Sequence, residues 1–266
     1  MASNYTATDA QTYERQMGRW SIRLANELIA FAGIVAGERV LDVGCGTGSM
    51  ALALAARPEP AAIVGIDIAS PYTAYAAMRS TNPRLKFHTG DVVALDLPSN
   101  SFDRCFSLIA LNFMSDPRLA LAGMRRVTRP AGIVAAAVWD FPGGLVCERV
   151  FWDTAAALDP EGDLSRGRHF SAPLMRPGEL AAAFNEAGLR CVETVSLTIR
   201  MEYADFSDYW EPIAQAQGPI GDYIKRLAPD RIETLAAAVR RAYLAGGPDG
   251  PRSMTATAWA ARGFVP

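Results

Sequence analysis

Val40-Leu-Asp-Val-Gly-Cys-Gly-Thr-Gly48 is the stretch that decides the fold of this 266-residue chain. It begins as a short, mostly apolar run that predicts a buried strand, and the Ala- and Leu-rich residues 49–57 after it predict a helix. Between them, Gly44, Gly46 and Gly48 allow a tight turn and let a ligand approach the backbone closely. The stretch therefore predicts a strand–turn–helix unit that binds a ligand at its turn.

Strands and helices alternate outward from this turn as far as residue 140. Short apolar runs predict further strands over residues 62–66, 86–88, 102–108 and 132–139. This alternation is typical of βαβ units, which build a mainly parallel sheet with helices on both faces. We therefore expect an α/β protein with a doubly wound, mostly parallel, Rossmann-like sheet and helical additions.

The chain is expected to form a single domain over residues 1–266. Its parts are an N-terminal cap helix over 10–35, a cofactor-binding core over 36–140, helical insertions with a sixth strand over 141–245, and a closing strand over 252–266. The first ten residues are polar and expected to be loosely ordered. The polar stretch Glu161–Ser171 contains two glycines and is expected to be a loop.

Composition excludes several classes of protein. With 26 basic and 28 acidic residues the formal net charge is −2, which argues against a nucleic acid partner. No apolar run approaches the ~20 residues of a membrane span. The four cysteines form no CxxC pair, so we expect no metal site, reduced thiols and a cytoplasmic protein.

The spacing of glycines and acids indicates which class of ligand the turn binds. A dinucleotide site favours G-x-G-x-x-G, whereas this chain has G-x-G-x-G. Asp42 lies inside the end of the strand, where a carboxylate suits a cationic ligand better than a pyrophosphate. Asp67 follows Gly48 by 19 residues, the distance at which an acid binds an adenosine ribose. S-adenosyl-L-methionine, with its sulfonium and amino group, fits both acids.

The order of these motifs resembles class I S-adenosylmethionine-dependent methyltransferases, in the small-molecule branch that includes quinone-biosynthesis C-methyltransferases. Val40–Gly48 resembles their first motif, and Gly90-Asp-Val92 their adenine-side motif. Ser101–Ser107 is similar to the fourth-strand motif, and Arg129-Pro-Ala-Gly132 to an Arg-Pro-Gly-Gly turn in which alanine here replaces a glycine, a departure expected to matter little. The resemblance implies a seven-stranded sheet whose last strand is antiparallel.

The same resemblance implies a set of cofactor-binding residues. Asp42 and the glycine turn would hold the methionine end of S-adenosyl-L-methionine, Asp67 the ribose, and Asp91 with Val92 the adenine. The full set is Asp42, Gly44, Cys45, Gly46, Gly48, Asp67, Ile68, Asp91, Val92 and Ser107. Asp42 and Asp67 also fit helix-capping roles, and Asp91 fits an ordinary turn.

Candidates for the acceptor side are less specific, and no catalytic residue is named. His169 is the sole histidine candidate for a general base, but a surface loop position is the favoured interpretation. Asn112 follows the fourth strand and is expected to face the acceptor. Two aromatic groups, Phe151 with Trp152 and Tyr203 with Phe206 and Trp210, fit either a lid over an apolar pocket or core packing. A third group, Tyr13 with Met17 and Trp20, fits closure over the cofactor or core packing equally well.

We therefore predict an S-adenosylmethionine-dependent methyltransferase acting on a small, apolar or aromatic acceptor. The alternatives are a non-catalytic cofactor-binding module of the same fold and an NAD-dependent oxidoreductase. A nucleic-acid methyltransferase would carry an Asn/Asp-Pro-Pro-aromatic signature, where this chain has Leu111-Asn-Phe-Met. The identity of the acceptor and the oligomeric state are not predicted.

Overall fold

The computed structural model describes residues 9–266. The expected loose start falls mostly on residues 1–8, which lie outside the described residues. Asp9 and Ala10 do not fit that expectation, because the Asp9 carboxylate accepts hydrogen bonds from the backbone N–H groups of Gln11 and Thr12 and so caps the first helix. Over residues 9–266, the strands are β1 (Arg39–Val43), β2 (Ala62–Asp67), β3 (Leu85–Thr89), β4 (Phe102–Leu108), β5 (Thr128–Trp139), β6 (Arg190–Tyr203) and β7 (Arg252–Phe264).

Helices separate most of the strands. Over the same residues, they are α1 (Ala10–Tyr13), a π-helical turn (Glu14–Gly18), α2 (Arg19–Ala32), α3 (Ser49–Ala55), α4 (Ser70–Met78), a 3₁₀ turn (Leu111–Phe113), α5 (Pro117–Val127), α6 (Val146–Leu158), α7 (Pro160–His169), α8 (Glu179–Glu186), α9 (Phe206–Ala214), α10 (Pro219–Ile224) and α11 (Pro229–Leu244).

The seven strands form one sheet in the order β3-β2-β1-β4-β5-β7-β6. Neighbouring strands from β3 to β5 pair in parallel, whereas β7 is antiparallel to both β5 and β6. The predicted doubly wound, mostly parallel sheet with an antiparallel last strand is confirmed. Strand order reverses between β1 and β4, and ligands bind beyond the carboxyl ends of strands at such a point.

Apolar side chains pack on both faces of the sheet. On one face, α2, α3 and the helices after β5 surround a core that contains Leu28, Phe106 and Trp152. On the other face, α5 packs against β4 and β5, and α8 packs against β6 and β7, around Met124 and Phe184. Because both faces are covered, β1 and β4 are continuous apolar runs apart from a few buried polar residues.

The expectation of a loop over Glu161–Ser171 is wrong, because residues 160–169 form α7. Asp159 begins this helix by accepting a hydrogen bond from the backbone N–H of Glu161, and Pro160 occupies the first turn. This is the cap-then-proline signal for a helix start. Gly162 has a packing role, since a Cβ there would lie 2.5 Å from the carbonyl oxygen of Ala155 in α6.

Three helix starts are set by the local backbone. Helix α4 follows Ala69 as its N-cap, and α8 begins at Glu179 after the left-handed Gly178. The expected N-terminal cap helix over residues 10–35 contains a π-helical turn over Glu14–Gly18 and ends with α2 at Ala32.

Candidate functional site

A cavity of about 540 Å³ opens at the carboxyl edge of the sheet. Its wall combines the glycine turn and the acids at the carboxyl ends of β1, β2 and β3 with apolar side chains at the ends of β4 and β5. Helices α6 and α7 and the start of α10 complete it. The lining residues include Tyr13, Gln16, Met17, Asp42, Gly44, Cys45, Gly46, Asp67, Ile68, Asp91, Val92, Ile109, Ala110, Phe113, Met114, Trp139, Phe141, Glu148, His169 and Ile220.

The three glycines of the turn have left-handed backbones, with φ of 72° at Gly44, 52° at Gly46 and 96° at Gly48. A Cβ on Gly44 would lie 2.5 Å from the Cβ of Ala110, so this glycine is needed for packing. Gly48 is packed in the same way and does not line the cavity. At Gly46 a Cβ would meet only the ring of Tyr72, at 3.9 Å, and would occupy cavity space.

Asp42 is fully buried at the end of β1 and lines the cavity. Its Oδ2 accepts a hydrogen bond from the backbone N–H of Ala51 in the first turn of α3, at 3.1 Å. Its Oδ1 has no partner among the described residues. Burial raises the pKa of Asp42 to about 8; the Ala51 N–H opposes this rise and the Asp67 charge adds to it. Asp42 thus braces the helix with one oxygen, and its other oxygen is left without a hydrogen bond in the described chain.

Asp67 ends β2 and holds the glycine turn in place. Its Oδ2 accepts from the backbone N–H of Gly46 and its Oδ1 from that of Ala69, both at 2.9 Å. Burial raises the pKa of Asp67, and these backbone hydrogen bonds oppose the rise. A carboxylate offers about four acceptor positions, so Asp67 can serve both the turn and a ligand hydroxyl.

The other predicted cofactor residues divide into two groups. Cys45, Ile68, Asp91 and Val92 line the cavity. Burial raises the pKa of the Cys45 thiol well above its ordinary value, which disfavours a nucleophilic thiolate. Ser107 does not line the cavity; it is fully buried within β4, and its hydroxyl has no partner in the described chain. The cavity wall begins with the next residues along the chain, Leu108 to Ala110.

On the acceptor side, the structure brings together two residues that the sequence did not connect. His169 Nε2 lies 2.7 Å from Glu148 Oε2, and both residues are 7% exposed and line the cavity. The expectation that His169 is a surface loop residue is wrong. It is the last residue of α7, and α7 packs against α6, which carries Glu148.

The expectation for Asn112 is wrong, because this residue lies in the 3₁₀ turn, is 2% exposed and does not line the cavity; its neighbour Phe113 does. For the two aromatic groups the structure supports core packing, one of the two interpretations. Phe151, Trp152 and Tyr203 are buried away from the cavity, and the ring centroids of Phe206 and Trp210 stack 6.0 Å apart outside it. Of the N-terminal group, Tyr13 and Met17 line the cavity, whereas Trp20 packs edge-on against Tyr203 at 5.5 Å.

Residues 41–136 match the model of a methyltransferase domain family. This part of the chain is similar to a methyltransferase domain. Similar curated proteins include a demethylmenaquinone methyltransferase of Renibacterium salmoninarum, 32% identical over 145 residues that cover 53% of this chain and 56% of the relative. They also include a trans-aconitate 2-methyltransferase of Deinococcus radiodurans, 31% identical over 60% of each chain. The chain thus spans about half to three-fifths of the length of these relatives.

The fold of the chain is shared with solved structures. One is phosphoethanolamine N-methyltransferase 2 of Haemonchus contortus in complex with S-adenosyl-L-methionine, with a TM-score of 0.61 at 16% identity over 97% of this chain and 56% of that one. The resemblance to class I S-adenosylmethionine-dependent methyltransferases is confirmed. The family match gives no support to the NAD-dependent alternative. Within residues 9–266 no helix is long and apolar enough to cross a bilayer.

The cavity fits S-adenosyl-L-methionine, the cofactor that the sequence predicted. The unpartnered Oδ1 of Asp42 matches a cationic amino group, and the open space at Gly46 leaves room against the backbone. The sequence did not predict Phe141 and Glu148 as site residues, because neither belongs to a recognisable motif. The sequence did contain a signal for the helix that ends at His169, since Asp159-Pro160 repeats the helix-start pattern of Asp116-Pro117.

Proposed function

We propose that this protein transfers the methyl group of S-adenosyl-L-methionine to a small, apolar or aromatic acceptor. The observation that carries the proposal is a single cavity with two kinds of wall. Acids and the glycine turn at the carboxyl ends of β1 and β2 form one part, and Phe113, Trp139, Phe141 and Ile220 contribute to an apolar part near β4 and β5. Because β5 lies two strands from β1, the two parts are about 10 Å apart at ordinary strand spacing.

In this proposal Asp42 and the backbone of the glycine turn hold the amino-acid end of the cofactor, Asp67 the ribose, and Asp91 with Val92 the adenine. Bound there, S-adenosyl-L-methionine supplies an electrophilic methyl group on a positively charged sulfur. The chain's own contribution is to orient the acceptor and to exclude water.

The segments on either side of the core residues 36–140 would close different sides of the cavity. Residues 10–35 would close the cofactor side, since Tyr13, Gln16 and Met17 line the cavity. Between them, Glu14 Oε1 accepts a hydrogen bond from the Thr47 hydroxyl at 2.5 Å, which ties this segment to the glycine turn. Residues 141–245 would close the acceptor side through α6, α7 and the start of α10. Core residues 36–140 and the closing strand over 252–266 complete a single domain.

The charges of the side chains that line the cavity indicate whether the acceptor is charged or neutral. Among the described residues that line the cavity there is neither an arginine nor a lysine. A carboxylate or phosphate on the acceptor would therefore be desolvated without a counter-charge, which costs several kcal/mol. The aromatic and aliphatic side chains instead offer contacts to an apolar ring. An uncharged acceptor fits this cavity better than an anionic one.

Calorimetry with S-adenosylhomocysteine tests the cofactor site. We expect saturable binding to the wild type, a loss of at least tenfold in affinity for Asp67→Ala, and no change for Asp96→Ala, a control at an exposed position outside the cavity. Absence of binding at millimolar ligand, or unchanged binding by Asp67→Ala, contradicts the proposal.

A methyl-transfer assay over a panel of acceptors tests turnover. The proposal expects product from at least one uncharged apolar or aromatic compound and none from carboxylate or phosphate analogues. Tight cofactor binding without turnover of any acceptor would instead support the alternative of a non-catalytic module.

A further inference from the structure

Glu148 and His169 form a buried pair whose geometry leaves one imidazole nitrogen for a ligand. An ionised carboxylate can only accept hydrogen bonds, so the 2.7 Å contact to Glu148 Oε2 places the ring proton on Nε2. Nδ1 then carries the lone pair, and it has no hydrogen-bond partner within residues 9–266. The side chain itself lines the cavity.

The surroundings of the pair fix the orientation of the imidazole. The ring centroid of Phe141 lies 4.2 Å from that of His169, and the ring centroid of Trp152 lies 5.6 Å from it. Glu148 lies in the first turn of α6 and His169 in the last turn of α7. Each residue thus lies at the helix end that suits its type, an acidic one at the start and a basic one at the end.

Resting on the proposed function, we infer that His169 is the general base for methyl transfer and that Glu148 is its positioning residue. We infer further that the acceptor carries a phenolic or enolic hydroxyl on a flat ring. Histidine is the side chain that most often takes the proton of a hydroxyl in general-base catalysis. Phe113, Trp139 and Phe141 provide flat apolar walls near the imidazole.

The step balances without any further reactant. The acceptor hydroxyl gives its proton to His169 Nδ1, and its oxygen forms the new bond to the methyl carbon. The bond between that carbon and sulfur breaks, and its electron pair remains on sulfur and neutralises the positive charge. The imidazolium that results lies beside the Glu148 carboxylate and loses its proton to water when product leaves.

Kinetics with ring-substituted phenols test the inference in His169→Gln and Glu148→Gln, with His88→Gln as the matched control on the exposed part of β3. We expect His169→Gln to lose roughly 10²–10⁴-fold in kcat with weakly acidic phenols. The loss should shrink as the phenol becomes more acidic, because an acidic phenol needs less help to ionise. Glu148→Gln, which keeps the shape of the side chain, should lose about tenfold or more, and His88→Gln should lose nothing.

A binding measurement provides a readout that does not depend on turnover. 4-Nitrophenol absorbs differently as phenol and as phenolate, so it reports proton transfer on binding. In protein saturated with S-adenosylhomocysteine, below the pH at which free 4-nitrophenol ionises, we expect a phenolate band with the wild type and His88→Gln. His169→Gln should bind the probe without that band.

The outcomes separate this inference from the proposed function. If the wild type fails to bind S-adenosylhomocysteine, the proposed function fails. A second outcome is that the wild type binds S-adenosylhomocysteine while His169→Gln keeps wild-type kcat, or loses the same factor in kcat with every phenol. Either result overturns only the general-base assignment. Methylation of amines but of no phenol or enol overturns the acceptor class. If His169→Gln misfolds, Glu148→Gln tests the general-base assignment instead. Its readouts are the dependence of the kcat loss on phenol acidity and the phenolate band of bound 4-nitrophenol.

Discussion

Gly162 of α7 packs so closely on Ala155 of α6 that a Cβ at position 162 would lie 2.5 Å from the Ala155 carbonyl oxygen. This contact sets the angle at which α7 meets α6, and with it the distance between Glu148 and His169. A glycine that lowers helix propensity is therefore used here to bring a histidine to the cavity.

Gly162→Ala should consequently separate the two helices. We expect a loss of about 1–3 kcal/mol in the free energy of unfolding, together with a lower kcat. Gly167→Ala is the matched control, because a Cβ there meets no atom within 4 Å; it should stabilise the protein by up to about 1 kcal/mol. Denaturant unfolding of both variants measures the difference. Equal stabilities would show that the contact with Ala155 does not restrain α7.

Asp42→Asn should stabilise the cofactor-free protein at alkaline pH. The Asp42 carboxyl has an ordinary pKa of 3.8 and a folded pKa of about 8. Between these values the folded state retains a proton that the unfolded chain has released, so the stability contributed by Asp42 falls as pH rises from about 4 to about 8. Asparagine keeps an acceptor for the Ala51 N–H without this loss. We expect a gain of about 1 kcal/mol or more at pH 8.5, roughly 2–4 °C in Tm, and none near pH 4.

The same variant should bind S-adenosylhomocysteine about 10–100-fold more weakly, because the cationic amino group then faces a neutral amide instead of a carboxylate. Thermal unfolding across this pH range and calorimetry check the two effects separately. A variant that is no more stable than wild type at pH 8.5 would show that the buried carboxyl is not destabilising.

Gly46→Ala should weaken cofactor binding more than it weakens the fold. The new Cβ would occupy cavity space and meet only Tyr72, at 3.9 Å, in the protein itself. Gly37→Ala is the matched control, with φ of 88° and no atom within 4 Å of its Cβ. Each variant should lose about 1–2 kcal/mol of stability from its left-handed backbone. Only Gly46→Ala should lose affinity for S-adenosylhomocysteine, and a similar affinity in both variants would argue against backbone contact at this turn.

Removal of one partner from the buried ion pair between Arg104 and Glu38 should be strongly destabilising. Arg104 Nε lies 2.6 Å from Glu38 Oε2, and its Nη1 donates to the carbonyl oxygen of Ala32 at the end of α2. Arg104→Met leaves the carboxylate buried without a counter-charge and should cost about 3–5 kcal/mol. Arg118→Met, which removes an exposed pair with Glu186, should cost less than about 1 kcal/mol.

Denaturant unfolding measures both losses, and the double variant Arg104→Met with Glu38→Leu should recover much of the first one. Failure of the double variant to recover would mean that the hydrogen bond to Ala32, rather than the charge of Glu38, dominates the effect.

Ala131→Gly should stabilise the turn before the buried part of β5. Ala131 has a φ of 61°, and a left-handed backbone costs an alanine about 1 kcal/mol or more. Since glycine loses more entropy on folding, the net gain should be about 0.5 kcal/mol. Ala182→Gly, at an exposed position with ordinary helical backbone in α8, should instead lose about 1 kcal/mol. A loss in both variants would contradict strain at Ala131.

Much of the fold follows from the sequence alone. The alternation of apolar runs with helical segments, the glycine turn and the proline-marked helix starts are local signals, because they depend on backbone sterics and side-chain periodicity. They were enough to predict the parallel sheet, its ligand-binding edge and the acids at the ends of β1 and β2. The same signals, applied to Asp159-Pro160, would also have predicted α7.

Only the tertiary structure decided the acceptor side of the cavity. Glu148 and His169 meet because two helices pack at a glycine, and no pattern along 21 residues of chain encodes that approach. Tyr203 and its aromatic neighbours are buried for a similar reason, because α6, α9 and α11 pack together around them. Periodicity shows which residues share a face, but the partner of that face is set by the packing of the whole chain.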